Sequence, residues 1–134
     1  MLCDAGPLVA VIDQSDKNHK SCLVVPSTLR TPLVTTWPCF AEAMYLLGQY
    51  GGHPAQEELW GYVEDGVVTF HISSELEQKR MRALMQKYRD LPMDLADASL
   101  VAAAEVLKQH RIFSTDSDFY VYQIGGNQPF EVTP

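Results

Sequence analysis

Met1-Leu2-Cys3-Asp4-Ala5-Gly6-Pro7 decides how the chain is read. Three apolar residues end on a carboxylate, and Gly6-Pro7 follow at once. Pro7, with its fixed φ and missing N–H, suits the first position of a helix. The stretch therefore reads as a buried strand, an acid at its carboxyl end, and a helix. Ile112-Phe113-Ser114-Thr115-Asp116 repeats the pattern far along the chain: an apolar strand, then an acid.

Between these two stretches, strand-like and helix-like segments alternate. A helix is expected over Pro7 to Asp13, and another from Lys17 toward Val25, ended near Pro26. Leu33 to Thr36 is β-branched and reads as a second strand. Pro38 opens a helix to Gln49, and Gly51-Gly52 stops it. Pro54 opens another, ending at Gly66, before a third strand at Val67 to His71. Ser74 and Glu77 have capping-box spacing, and Met81, Leu84, Met85 and Tyr88 form one apolar stripe behind them. Pro92 separates this helix from the next, Asp94 to Gln109. A fourth strand at Ile112 to Thr115, a helical turn after Asp118 and a fifth strand at Phe130 to Val132 complete the chain. Strands alternating with helices, without tight two-residue hairpins, indicate one domain over residues 1–134. Its expected form is a three-layer α/β/α sandwich around a parallel sheet of about five strands. Ligands of such sheets bind beyond the carboxyl ends of the strands, where Asp4 and Asp116 stand.

With 46% apolar and 20% charged residues, the composition is that of a globular chain. No apolar run reaches the roughly 20 residues needed to cross a bilayer. The opening segment has no basic region and its apolar stretch is interrupted by Asp4 and Asp13, so no secretory leader is expected. Cys3, Cys22 and Cys39 form no CxxC pair and read as reduced, buried and small, which suits a cytoplasmic protein. The four histidines show no zinc-ligand spacing. A net charge of −7 argues against a broad basic field for nucleic acid. Five of the ten basic residues nevertheless fall between Lys79 and Arg89, as a solvated helix face or a phosphate-contacting edge.

Four acids stand out against this background. Asp97 heads a helical stripe of Leu100, Val101, Ala104 and Leu107, a poor place for a charge without a task. Glu42 lies within Phe40, Ala43, Met44, Tyr45, Leu46 and Leu47, a helix apolar nearly all round and so expected to be buried. Asp4 and Asp116 sit at strand ends. No lysine or arginine adjoins any of the four. Asp94 is explained as a helix cap. Of Asp116 and Asp118, one is expected to cap the following turn and Asp116 to be the ligand. If the fold gathers Asp4, Glu42, Asp97 and Asp116 into one cleft, a cation must hold them together. Two like charges about 4 Å apart repel by on the order of 4 kcal/mol. An all-oxygen donor set suits Mg²⁺ or Mn²⁺, and such ions act on phosphates.

These residues resemble a known family. Leu2-Cys3-Asp4-Ala5-Gly6-Pro7-Leu8-Val9-Ala10, with Asp16, His19 and Cys22 behind it, is similar to the start of a PIN domain. Thr35-Thr36-Trp37-Pro38 with Ala41-Glu42-Ala43 and Leu46-Leu47 resembles the segment of that family's second acid. Asp94-Leu95-Ala96-Asp97 before an Ala-rich helix resembles the third, and Ser114-Thr115-Asp116-Ser117-Asp118 the fourth. The likeness runs through the whole chain in the family's order. It implies a Rossmann-like PIN fold and a Mg²⁺- or Mn²⁺-dependent ribonuclease, most like the VapC-type toxin of a toxin–antitoxin pair. Asp4, Glu42, Asp97 and Asp116 would then form the catalytic and metal-binding cluster, with Asp118, Ser114 and Asp94 as accessories. Many members carry Thr or Ser directly after the first acid, where this chain has Ala5. The implied partners are an RNA substrate, a small antitoxin protein and a second copy of the chain as a homodimer, with no membrane.

Two other readings compete. A catalytically idle PIN-like interaction module would use the fold for protein contacts, and four intact acids count against it. A phosphatase of the haloacid dehalogenase type needs a second Asp two residues after the first, where Gly6 stands.

Overall fold

A computed structural model describes all 134 residues. The elements run β1 (Leu2–Cys3), α1 (Ala5–Ala10), α2 (His19–Leu23), α3 (Val25–Thr28), β2 (Leu33–Thr35) and α4 (Trp37–Glu64). Then follow β3 (Val68–Phe70), α5 (Glu75–Lys87), α6 (Leu95–Leu107), β4 (Arg111–Phe113), a 3₁₀ turn at Ser117–Tyr120, β5 (Gln123–Ile124), β6 (Gln128–Pro129) and β7 (Glu131–Thr133).

Five strands form one parallel sheet in the order β3-β2-β1-β4-β7. β1 is central and fully buried, with Leu2 opposite Val34 on one side and Ile112 on the other. A strand buried on both faces carries no polar alternation, which is why Met1-Leu2-Cys3 reads as continuous apolar sequence. From β1 the chain builds outward to β2 and β3 in one direction. After α5 and α6 it returns to build β4 and β7 in the other. The switch point therefore lies between β1 and β4, and their carboxyl ends open the crevice where ligands of such sheets bind. The Asp4 N–H donates to the Phe113 carbonyl at 2.9 Å, extending the β1–β4 ladder up to the acid itself.

The helices flank the sheet: α1 packs on α4, α5 on α6, and α4 also meets α6. The core is one cluster, with Leu8, Leu47, Leu84, Leu100, Val101, Ile112 and Phe113 almost wholly out of water. Each such side chain contributes roughly 1.5–3 kcal/mol on burial. Met81 and Leu84 of the α5 stripe are buried as expected, and the Ser74–Glu77 capping box is formed.

Several boundaries differ from the sequence reading. α1 starts at Ala5, two residues before Pro7, because the Asp4 carboxylate caps it; proline is tolerated anywhere among the first N–H groups, which lack helical partners. Pro26 does not end a helix but sits in the first turn of α3, separated from α2 at Val24. The helices expected on either side of Gly51-Gly52 are joined end to end in α4. Only Gly52 leaves helical geometry, at φ 66° and ψ −162°, a conformation open to glycine. Leu107 is exposed and not part of the core stripe. A small antiparallel hairpin, β5–β6, turns through Gly125 and Gly126, both at positive φ, where no hairpin was expected. The last strand is Glu131–Thr133, shifted by one residue from the expected position.

The basic cluster of α5 is mostly a solvated face. Lys79, Arg82, Lys87 and Arg89 are exposed, while Arg80 is bound to Glu105 of α6 through two parallel N–H···O contacts of 2.9 Å.

Candidate active site

Asp4, Asp97 and Asp116 meet at the carboxyl edge of β1 and β4. Each offers a carboxylate oxygen within 4.8 Å of the other two. They arrive from three elements: Asp4 from the end of β1, Asp116 from the loop after β4, and Asp97 from the first turn of α6. The cleft they line also includes Gly6, Glu42, Leu46, Asp94, Thr115 and Ser117.

Every acid of the trio is held by hydrogen bonds that fix its direction. Asp4 Oδ1 accepts from the Ala5 N–H at 2.7 Å, and Oδ2 accepts from the Ser114 hydroxyl at 2.8 Å. That same Ser114 oxygen accepts the Asp116 N–H at 3.0 Å, so one hydroxyl braces two of the acids. Ala5 supplies no hydroxyl, and the one that Asp4 receives comes from Ser114, just after β4. Asp97 Oδ2 accepts from the Tyr122 hydroxyl at 2.7 Å, and its backbone N–H is capped by Asp94 at 2.8 Å. Asp116 Oδ1 accepts from the Asp118 N–H at 2.9 Å, so Asp116 is both the cap of the 3₁₀ turn and a member of the trio.

No basic side chain reaches the trio; the three ion pairs of the chain lie at His53–Glu57, His71–Glu77 and Arg80–Glu105. Burial and mutual repulsion therefore act together. Asp4 is pushed above the ordinary carboxylate range, first by burial and then by Asp116 and Asp94, with Ser114 and Ala5 opposing. Asp97 is pushed up to about 7, again mainly by burial, with Asp94, Asp4 and Asp116 adding to it and the Tyr122 hydrogen bond opposing. A site that penalises its own charges, without a lysine or arginine to relieve them, fits a divalent cation. The donors fit as well: they are all oxygens, as Mg²⁺ and Mn²⁺ prefer.

Glu42 stands apart from the trio. It lines the same cleft from α4, but its side chain is exposed, against the expectation of burial. The apolar residues around it do not all turn inward: Trp37 is 47% exposed and Tyr45 63%. Its carboxyl is still raised, by partial burial and then by Asp94, Asp4 and Asp116, so it feels the field of the cluster. Asp94 is the cap of α6, as expected, and also lines the cleft. Asp118 does not line it; its backbone supports Asp116.

Three features escaped the sequence reading. Tyr122 is fully buried between Tyr88 and Phe119 and has its hydroxyl locked on Asp97. Cys39 lies beneath the cleft, its thiol 3.6 Å from the Ala96 carbonyl and 4.0 Å from Asp4 Oδ1; burial raises its pKa far above the ordinary thiol range, so it stays protonated. The Thr36 and Ser99 hydroxyls bond at 2.6 Å and pin the start of α4 to α6. None of these has a signature in spacing, because all join residues distant in the chain. Gly6 has a spatial reason: a Cβ there would come within 2.6 Å of the Thr115 hydroxyl.

This architecture, a parallel five-stranded sheet with an acidic cleft at its switch point, is the PIN fold. Among solved structures, VapC20 of Mycobacterium tuberculosis, a Sarcin-Ricin loop cleaving toxin, superposes with a TM-score of 0.83. The match covers 96% of this chain and 98% of that one at 15% identity, a likeness that establishes the fold. No family model matches the sequence, and no curated protein does.

Proposed function

We propose that this chain is a metal-dependent endoribonuclease, the toxin of a toxin–antitoxin pair. The observation that carries the reading is the trio Asp4, Asp97 and Asp116, brought within 4.8 Å with no basic partner at the β1–β4 crevice. The similarity to VapC20 supports RNA as the substrate class. Asp4, Asp97 and Asp116 would hold Mg²⁺ or Mn²⁺, with Glu42 contributing from the rim. When bound, the ion supplies charge for the phosphate and lowers the pKa of a nucleophilic water.

The residues of the chain do the rest. Ser114 holds the Asp4 carboxylate and the backbone of Asp116 at the cleft. Tyr122 holds the Asp97 carboxylate in one rotamer by donating to Oδ2. Glu42, exposed at the rim of the cleft, would be the group that accepts a proton from an attacking water on the solvent side. A cleft of carboxylates at the edge of the sheet suits a single-stranded or looped RNA, whose backbone can be extruded, better than a stiff duplex.

The reading extends to partners. A small antitoxin could place an arginine or lysine among the acids and occupy the cation's position. Exposed Leu23, Val24, Ile72 and Leu76 leave apolar surface for a homodimer. No helix is long and apolar enough to cross a membrane. The test is RNA cleavage by the purified chain with Mg²⁺ or Mn²⁺, with chelator, and with Asp97→Asn. Cleavage that survives chelation and the substitution, contaminating nuclease excluded, would remove the mechanism.

A further inference from the structure

The acid cleft continues past Asp116 into a second groove of different chemistry. The two share Thr115, Asp116 and Ser117, so they adjoin at the carboxyl edge of the sheet as two limbs either side of those residues. Beyond those shared residues the second limb is lined by Asn18, Ser114, Tyr120, Val132 and Pro134. Asp116 is its only charged residue. The acid limb has Asp4, Glu42, Asp94, Asp97 and Asp116.

Four polar side chains of this second limb are free. Asn18 stands at the N-cap position of α2 yet its side chain makes no capping bond. The hydroxyls of Thr115, Ser117 and Tyr120 make no hydrogen bond within the chain, although their neighbours Ser114, Asp116 and Asp118 are all engaged. The Tyr120 side chain is 70% exposed and shares no ring contact with the aromatic cluster of Phe119, Tyr122 and Phe130 beneath it. A planar ring open to solvent, an amide and two hydroxyls around a hollow with a single acid at its edge form a surface that can stack on a base and hydrogen-bond its edges.

Electrostatics favour such a subsite. In a chain of net charge −7 whose cleft holds five carboxylates and no lysine or arginine, the side chains of the cleft offer a phosphate no attraction beyond what a bound cation would supply. Stacking with base-edge hydrogen bonds is an uncharged source of further affinity for a nucleic acid strand. We propose that the groove of Asn18, Thr115, Ser117 and Tyr120 is a nucleoside-binding subsite. It takes the base next to the scissile phosphate of a single-stranded RNA, with Tyr120 as the stacking face and Asn18 as the edge-reading group. This rests on the nuclease reading for the position of the phosphate, and on the groove itself for the base.

The experiment separates the two. Binding of a fluorescently labelled, unstructured oligoribonucleotide is measured by anisotropy in the Asp97→Asn background, with Tyr120→Ala, Tyr120→Phe or Tyr50→Ala added. Tyr50 is 71% exposed and lines neither limb, so its loss controls for removing a surface aromatic. Tyr120→Ala should weaken binding about tenfold, as expected for one lost base stack, while Tyr120→Phe and Tyr50→Ala bind as the parent does. An oligonucleotide abasic at the stacked position should bind the parent and Tyr120→Ala equally weakly. In the otherwise native chain, Tyr120→Ala should raise KM about tenfold with kcat retained, and Asn18→Ala should relax the preference among bases at that position. Equal binding by Tyr120→Ala and its parent, equal weakening by Tyr50→Ala, or no RNA binding by any variant would each overturn the subsite. Tyr120-dependent binding by a native chain that cleaves no RNA with Mg²⁺ or Mn²⁺ would instead overturn the nuclease reading and leave the subsite standing.

Discussion

The two ends of α6 treat a carboxylate in opposite ways. Near its C-terminal end, Glu105 is gripped by Arg80 through two 2.9 Å contacts and also accepts the Gly125 N–H at 3.2 Å. At its N-terminal end, Asp97 has one tyrosine hydroxyl for a partner and acids for neighbours. The chain therefore has the means to neutralise a half-buried acid with a rigid guanidinium, and uses it where the task is to join α5, α6 and the β5–β6 hairpin. At Asp97 it withholds that device. A carboxylate left without a fixed cation can take an exchangeable one.

Asp97→Asn tests this contrast most severely. The side chain keeps its size and an oxygen for the Tyr122 hydroxyl, but the charge that holds the ion is gone. Cleavage should fall at least about a hundredfold, since several kcal/mol of charge stabilisation is removed. The metal-free protein should melt higher than wild type at pH 8, because repulsion with Asp4 and Asp116 is relieved. A lower melting temperature would mean that Asp97 is structural.

Arg80→Met breaks the other end. It leaves a half-buried Glu105 without its bidentate partner, which should cost about 2 kcal/mol by urea denaturation. Cleavage by the fraction that remains folded should be unchanged. Loss of activity without loss of stability would show that the two ends of α6 are coupled.

Tyr122→Phe sharpens the comparison. Only the hydroxyl on Asp97 Oδ2 is lost, so cleavage should fall about tenfold, as when the group orienting a metal ligand is removed. Metal affinity, measured by titration calorimetry, should fall in parallel. An unchanged affinity would leave Tyr122 as packing alone.

The smallest effect is the pH dependence of the metal-free protein. Asp97 has its folded pKa raised to about 7 from an ordinary 3.8, so between those values the folded state holds more protons than the unfolded one. Stability must then fall as pH rises through that window, by about 1 kcal/mol between pH 5 and 8 once solvent relaxation is allowed for. Mg²⁺ should add more stability at pH 8 than at pH 5, and Asp97→Asn should flatten the slope. A metal-free protein that gains stability over the same window would contradict the burial of these charges.

Much of this contrast is legible in the amino-acid sequence. Asp4 and Asp116 announce themselves because strands buried on both faces are continuously apolar, so an acid at the end marks the sheet's carboxyl edge. Asp97 does so because a helix with a buried stripe tolerates few interruptions. Glu42 misled the reading for a related reason. A helix apolar all round suggests burial all round, but α4 keeps Trp37, Tyr45, Tyr50 and Trp60 partly in water, and periodicity cannot say which apolar face finds a partner.

The sequence alone determined the strand–helix alternation, the parallel sheet and three of the acids. Each of those is written in residues close together, where backbone preference and burial period act locally. Tertiary structure alone decided that Ser114 would brace Asp4 across 110 positions and Tyr122 would lock Asp97 across 25. It also decided that Arg80 would reach Glu105 and not the cleft, and that Asn18 and Tyr120 would meet beside Asp116. Hydrogen bonds and ion pairs act over a few ångströms whatever the separation in sequence. Only the packed sheet brings such residues close enough for those forces to act.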